Sequence, residues 1–426
     1  MKKVFLKLSE SVMRNLQSIL VFIFLLFVVN QGFAQEIFQW RGSNRDGIYN
    51  DTNLLKKWPE KGPALEWFTE EIGAGYAAPV VTKDKLLING EADSTSYLFA
   101  FDLKGKLLWK AANGKEYYGK GFAASFPGSR ATPTVVDDLV YTSSGRGRLA
   151  GYELATGKEK WAVDMVAEMG GVENMFGYAE SPLIDGDKIY FMAGGPVNNV
   201  VALDRFSGKT VWSSKAFGDS TSFCSPMMIS LAARKIFVAI SHHYIFGLDA
   251  KNGDMLWSQK LENFKLEGEH CNTPIYADGF IYYIVSDCNG NGAVKLALSP
   301  DGKTIKEVWR NVNVTNAMGG FIKSGDHLFT SVKKKRLVCI DATTGSVVDS
   351  LGVNKGSLIY ADNLFYCYNE TGEVKLIDFE NNKFNEISKF RLEKGTKEHF
   401  SHPVIANGTM YIRHGKALMA YDIKKY

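Results

Sequence analysis

The side chains in this sequence with chemistry to offer are thinly spread: Tyr76, Arg130, Glu180, His270, Asn272, Lys355 and His402. They fall in no Ser/His/Asp order, phosphate-binding glycine loop or metalloprotease motif. Arg130 and Lys355 oppose Glu180 in charge, a mixed set able to orient a carboxylate, a sugar or a quinone through charge-assisted hydrogen bonds. His270 or His402 beside Tyr76 and Arg130 would instead supply an acid, a base and a neutralising cation for carbohydrate chemistry. A tighter group sets His242 and His243 near His270 and Cys271, with Asp287 and Cys288 in the next turn, all metal-ligating types. Their spacing matches no established ligand pattern, and adjacent His242 and His243 would point to opposite sides of a continuing strand. His242, His270 and Cys271 therefore remain metal candidates without a defined site.

Something regular must position these residues, and the chain supplies it by repetition. One phrase recurs: an apolar strand, an Asp, a turn with Gly, and a strand ending in Trp. Its clear copies are AFDLKGKLLW ending at Trp109, GYELATGKEKW at Trp161, ALDRFSGKTVW at Trp212 and GLDAKNGDMLW at Trp257. A looser copy ends at Trp309, and two more around Asp341 and Asp378 have lost the Trp. Upstream of each runs a second phrase, small residues with Pro or Gly, then a polar turn and an alternating apolar strand, as in TPTVVDDLVYT and SPLIDGDKIYFM. Alternation, Val, Ile, Tyr and Phe content, and Gly and Asp turns make every segment β. Asp102, Glu153, Asp204, Asp249, Ser299, Asp341, Asp378 and Asp422 mark eight units spaced 37 to 51 residues apart. Four short strands at that period predict an all-β, eight-bladed β-propeller, with residues 35–426 as a single domain. The last unit stops short of its outer strand, and Ala64 to Trp67 has no inner strands of its own. Pairing the two would complete the eighth blade and close the ring.

The repeat A-x-D-x-x-T-G-K-x-x-W around a ring resembles the tryptophan-docking motif of PQQ-like β-propellers. With FQWRGSNRDGIYNDTNLLKKWP near the start and SHPVIANGTMYIRHGKALMAYDIK at the end, the chain is similar over nearly all of its length to the exported BamB-like branch of that group. The resemblance implies docking roles for Trp, Gly and Asp and is architectural. Quinoprotein dehydrogenases of the wider group hold PQQ with a vicinal disulfide, a stacking Trp and a calcium ion. No two cysteines are adjacent here, so PQQ with calcium is an open alternative that the resemblance does not carry.

Residues 1–34 read as a secretory signal, with Lys2, Lys3, Lys7 and Arg14 ahead of an apolar run from Ile19 to Val29 and small residues at Gly32 and Ala34. No cysteine follows, so no lipid anchor is expected. Those four cations and Glu10 take three of the four net positive charges with them, leaving a nearly neutral chain with no call for nucleic acid or an anionic membrane. Five cysteines, none in a C-x-x-C pair, signal neither a disulfide framework nor a zinc site.

The face that carries the links between blades is the expected binding face. Two long links, 110–129 and 162–180, bring Tyr117, Tyr118, Phe122, Phe126, Phe176 and Tyr178 as a stacking platform for sugars or a peptide. The basic run Lys333 to Arg336 fits a solvated hairpin turn. A monomeric binding or scaffold protein of the cell envelope, holding an envelope protein or glycan, is the leading expectation. A PQQ-dependent dehydrogenase of alcohols or sugars and a carbohydrate-active enzyme are the alternatives.

Overall fold

The computed structural model describes residues 37–261, 270–285, 291–316, 318–332 and 335–426. Residues 1–34, with Asp287, Cys288, Lys333 and Lys334, lie outside the described residues. Within 37–426 the strands form eight antiparallel blades of four, seven of them running outward from the channel in chain order. Blade 1 is Val80–Val81, Lys85–Ala92, Thr95–Asp102 and Leu107–Lys115. Blades 2 to 7 begin at Thr134, Leu183, Met227, Ile275, Phe321 and Gly356. Blade 8 takes Val404–Ala406, Thr409–His414 and Ala417–Asp422 from the C-terminal end and Ala64–Thr69 as its outer strand. Their register, Ala64 opposite Asp422 and Thr69 opposite Leu418, is the closure that the incomplete last repeat predicts.

Eight apolar clusters hold the ring, each between two consecutive blades. One joins Ile189, Phe191 and Val201 of blade 3 to Tyr141, Leu149 and Trp161 of blade 2. Another joins Leu86, Ile88 and Phe101 of blade 1 to Tyr411, Leu418 and Ala420 of blade 8. Middle strands are covered on both faces and therefore read as continuous apolar runs, whereas outer strands alternate. Each docking Trp then pins its blade to the next. The indoles of Trp67, Trp109, Trp161, Trp212 and Trp309 donate to the carbonyls of Leu103, Leu154, Arg205, Ala250 and Ala342 at 2.8 to 3.2 Å. Trp257 differs: Ser299-Pro300 replaces the usual turn of the next blade, and its buried N–H finds no acceptor.

The turn chemistry follows the motif. Asp102 Oδ1 accepts from the amides of Lys104 and Lys106 at 2.9 Å, and Asp341 Oδ1 does the same for Thr343 and Thr344. Gly208, at φ +70°, lies flat on Trp161, so that a β-carbon there would sit 2.6 Å from the indole. In blade 6, which lacks its Trp, Asp349 instead accepts the Phe384 amide of blade 7 at 2.8 Å. One short 3-10 helix, Gly121–Ser125, interrupts the first long link. No helix among the described residues is long and apolar enough to cross a membrane.

One feature has no counterpart in the repeat. Ile37–Phe38 adds to the innermost strand of blade 2, and Ile48–Tyr49 pairs in parallel with the innermost strand of blade 7. The segment between them crosses the central channel. Arg41 and Arg45, both at φ 59° and buried, anchor it. Arg41 donates to the carbonyls of Phe321 and Leu358 on one side, and Arg45 to those of Ser181, Pro182 and Pro226 on the other. Burial lowers both guanidinium pKa values to about 10, so both stay charged and are solvated by carbonyl oxygens.

Candidate functional site

Each inter-blade link enters its innermost strand in extended conformation, so successive side chains alternate in direction. In six of the eight links a Pro lies close to the strand start, which fixes a common register. The residue three before it lines one cavity in every case: Tyr76, Arg130, Ala179, Phe223, Cys271 and Phe400. In the two links without Pro, Met318 and Lys355 hold the equivalent place. The next residue along, Ala77, Ala131, Glu180, Cys224, Asn272 or Ser401, turns away from the cavity. All eight blades thus contribute one side chain to a mouth cavity of about 350 Å³.

This alternation decides where the candidate residues go. Tyr76, Arg130, Lys355 and His402 line the cavity; Glu180, Asn272 and His270 do not. Glu180 points back between blades, where both carboxylate oxygens accept from the Met192 amide at 3.2 and 3.3 Å. Burial pushes its carboxyl up to about 8, against the opposing pull of that amide and of Arg45. Asn272 is an inter-blade tie: its amide donates to the carbonyls of Ile284 and Asn316, and its oxygen accepts from Gly320. His270 is buried and its Nε2 faces the His242 carbonyl at 3.3 Å. The rings of His242 and His243 lie 4.2 Å apart on the same side, not opposite, because the two residues sit in a bend and not in a continuing strand. His243 pairs with Asp219 at 2.9 Å. Among the described residues no three His, Cys, Asp or Glu side chains converge as metal ligands would, and Cys224, Cys339 and Cys367 are free thiols.

The two long links roof the mouth. Phe122, Phe126 and Phe176 meet edge to face with centroids 5.0 to 6.4 Å apart. Phe176 continues to Phe223 at 5.6 Å, and Phe126 stacks on Phe400 at 6.3 Å. The other three aromatic residues of these links lie elsewhere: Tyr178 is buried with its hydroxyl on the Ala193 carbonyl, Tyr118 donates to Glu91, and Tyr117 is absent from the cavity wall. Arg130 lies 5.4 Å from the Tyr76 ring and 5.6 Å from that of Phe176, and donates to the carbonyls of Gly128 and Phe126. Burial lowers its pKa, which still leaves it a cation. Trp40, from the channel-crossing segment, forms the floor edge-on to His402 at 5.4 Å. Residue-type reasoning overlooks Trp40, Phe223 and Phe400. The latter two carry a usable signal, an aromatic three residues before Pro, whereas Trp40 lies in a stretch without repeat.

A calcium-held quinone does not fit this wall. Calcium takes six or more oxygen ligands, carboxylates among them, and no carboxylate lines the cavity among the described residues. Glu180, the acid the sequence offers there, is committed between blades.

Comparison with known proteins follows the same lines. The family model described as "Outer membrane protein assembly factor BamB" matches residues 94–351. The protein of that name from Shewanella oneidensis is 26% identical over 267 residues, which is 51% of this chain and 60% of that protein's length. Among solved structures, BamB from Moraxella catarrhalis superposes with a TM-score of 0.58 at 14% identity, covering 84% of this chain and 99% of its own. A europium-containing methanol dehydrogenase gives 0.60 at 12% identity, covering 89% and 90%. Likeness at these identities shows the fold, which hosts unrelated functions. The family match spans more than half of the sequence and its repeats, and the chain belongs to the BamB family of PQQ-like β-propellers.

Proposed function

We propose that this protein is an exported, non-catalytic binding propeller of the cell envelope that holds an envelope protein at its loop-bearing face. The observation that carries the reading is the aromatic mouth: Phe122, Phe126, Phe176, Phe223 and Phe400 form a continuous wall built from four separate links of the chain. Such surfaces bury large apolar area at low side-chain entropy cost, which suits recognition. Phe122 is 67% exposed although it touches Phe126 and Phe176, so much of its ring faces outward at the mouth. The assembly role in the family's description supports a protein partner, and the signal-like residues 1–34 support export.

A photo-crosslinking amino acid at Phe122, compared with one at the exposed outer-strand Val347, tests the reading in cells. An envelope protein captured at Phe122 and not at Val347 is the expected result. Equal capture at both positions, or none, overturns it. So does a glycan array that binds the protein where no envelope protein crosslinks, or dye reduction on alcohols or sugars after PQQ and calcium are added.

A further inference from the structure

The cavity wall carries charge of one sign. Of the eight equivalent link positions two are cations, Arg130 and Lys355, and none is an acid. Lys355 has a partner, Glu370, with Nζ 3.4 Å from the carboxylate. Nearby Glu398 accepts the Tyr76 hydroxyl at 2.8 Å. Arg130 is different. Its two hydrogen bonds go to the carbonyls of Phe126 and Gly128, and the acid that acts most on it, Glu116, spends its two oxygens on Ser129 Oγ and the Gly145 amide. A guanidinium has five N–H donors in a planar fork that matches a carboxylate. Here it is flanked by the rings of Tyr76 and Phe176. The cavity's roughly 350 Å³ is near the small end of ligand pockets, with room for one aromatic group and a short chain.

We propose that the cavity takes an aromatic group bearing a carboxylate, with the ring against Phe122, Phe126 and Phe176 and the carboxylate on Arg130. This rests on the reading of the cavity as a binding site and adds the chemistry of what enters it. A free arylalkanoate and the carboxy-terminal aromatic residue of a polypeptide share that chemistry.

Calorimetry on the purified protein separates the possibilities with four probes: 3-phenylpropionate, 3-phenylpropanamide, and a blocked tetrapeptide ending in Phe as the free acid and as the amide. At least one acid is expected to bind about tenfold tighter than its amide, the worth of one charge-assisted hydrogen bond. Arg130→Gln should erase that preference, and Phe122→Ala should weaken acid and amide together. Arg130 also holds its own loop, so the wild-type protein supplies a second readout: added salt should weaken the acid and leave the amide unchanged. Preference for the free propionate assigns a small ligand, and preference for the peptide acid assigns a chain terminus. Equal affinity of acid and amide in the wild type, or no binding of either, overturns the proposal. If Phe122 still crosslinks an envelope protein in that case, the carboxylate assignment fails alone. If it does not, both readings fail.

Discussion

Nη1 of Arg41 stands 3.0 Å from Nδ1 of His402. A guanidinium can only donate, so the imidazole nitrogen accepts and the ring is neutral, with its proton on Nε2. Burial and the adjacent cation hold the His402 pKa well below 6.5. The contact joins the segment that crosses the channel to the link that opens blade 8, directly beneath the cavity. The floor of the mouth therefore depends on a histidine remaining uncharged.

Acid should weaken the fold through this contact. Burial also takes His270 and the half-buried His399 down to about 4. Groups whose native pKa is depressed leave the native state with fewer protons than the unfolded chain, so stability is full above pH 6.5 and falls as pH drops from there toward 4. Each fully buried group contributes at most about 1.4 kcal/mol per pH unit, and His399 less because solvent screens it. Urea midpoints should decline from pH 6.5 to pH 5, and His402→Gln should shallow that decline by about one proton. A flat profile across this window would refute the assignment.

Glu180 has the opposite sign. Its carboxyl, raised from 4.5 to about 8, is protonated in the native state at neutral pH and ionised in the unfolded chain. Stability from this group is complete below pH 4.5 and is lost as pH rises toward 8. Glu180→Gln keeps the shape and removes the titration. The variant should gain on the wild type progressively from pH 6 to pH 8, read as the difference in urea midpoints, and a difference that does not change with pH would sink the prediction.

Gly208 and Gly186 separate backbone strain from packing. Both have positive φ, +70° and +56°, but a β-carbon at Gly208 meets Trp161 at 2.6 Å whereas one at Gly186 meets nothing within 4 Å. Gly186→Ala should cost ~1–2 kcal/mol, the left-handed penalty alone. Gly208→Ala adds overpacking of ~1–3 kcal/mol against the indole. If thermal melts place the two variants together, the docking Trp is not rigidly held.

The ring could be read from residues alone because its devices repeat. Trp161 closes one copy of the phrase and seeks the Arg205 carbonyl of the next copy, where Asp204 caps the turn and Gly208 clears the indole, and the phrase recurs every 37 to 51 residues. Ala64 to Trp67 was legible as the missing strand for the same reason, and the observed strand runs two residues further, to Thr69. The mouth was legible only in part. Tyr76, Arg130, Lys355 and His402 occupy inward positions, but Glu180 and Asn272 stand one residue out of phase, and in extended chain one residue reverses a side chain. Polar character draws attention to Glu180, although its charge and hydrogen bonds belong to the space between blades. The channel-crossing segment gave no signal, since Arg41 and Arg45 lie in a stretch without periodicity and their partners are carbonyls hundreds of residues away.

That segment should prove more than a loose leader. Arg45 donates to Gln39 at 2.7 Å and to the carbonyls of Ser181, Pro182 and Pro226, which come from two blades. Arg45→Met fills a similar volume but leaves those carbonyls without their donor, at a cost of ~2–4 kcal/mol in the urea melt. Arg45→Lys should recover little, because a single ammonium cannot reproduce a fork that reaches three carbonyls at once. Lys160→Met is the control: both members of its pair with Glu153 are solvent-exposed, and losing it should leave the urea midpoint nearly unchanged. Release of the segment would also free Trp40 from the cavity floor, so indole emission should shift to the red in Arg45→Met and not in the control. Unchanged stability with unchanged emission would mean that the blades hold the mouth closed without the two arginines.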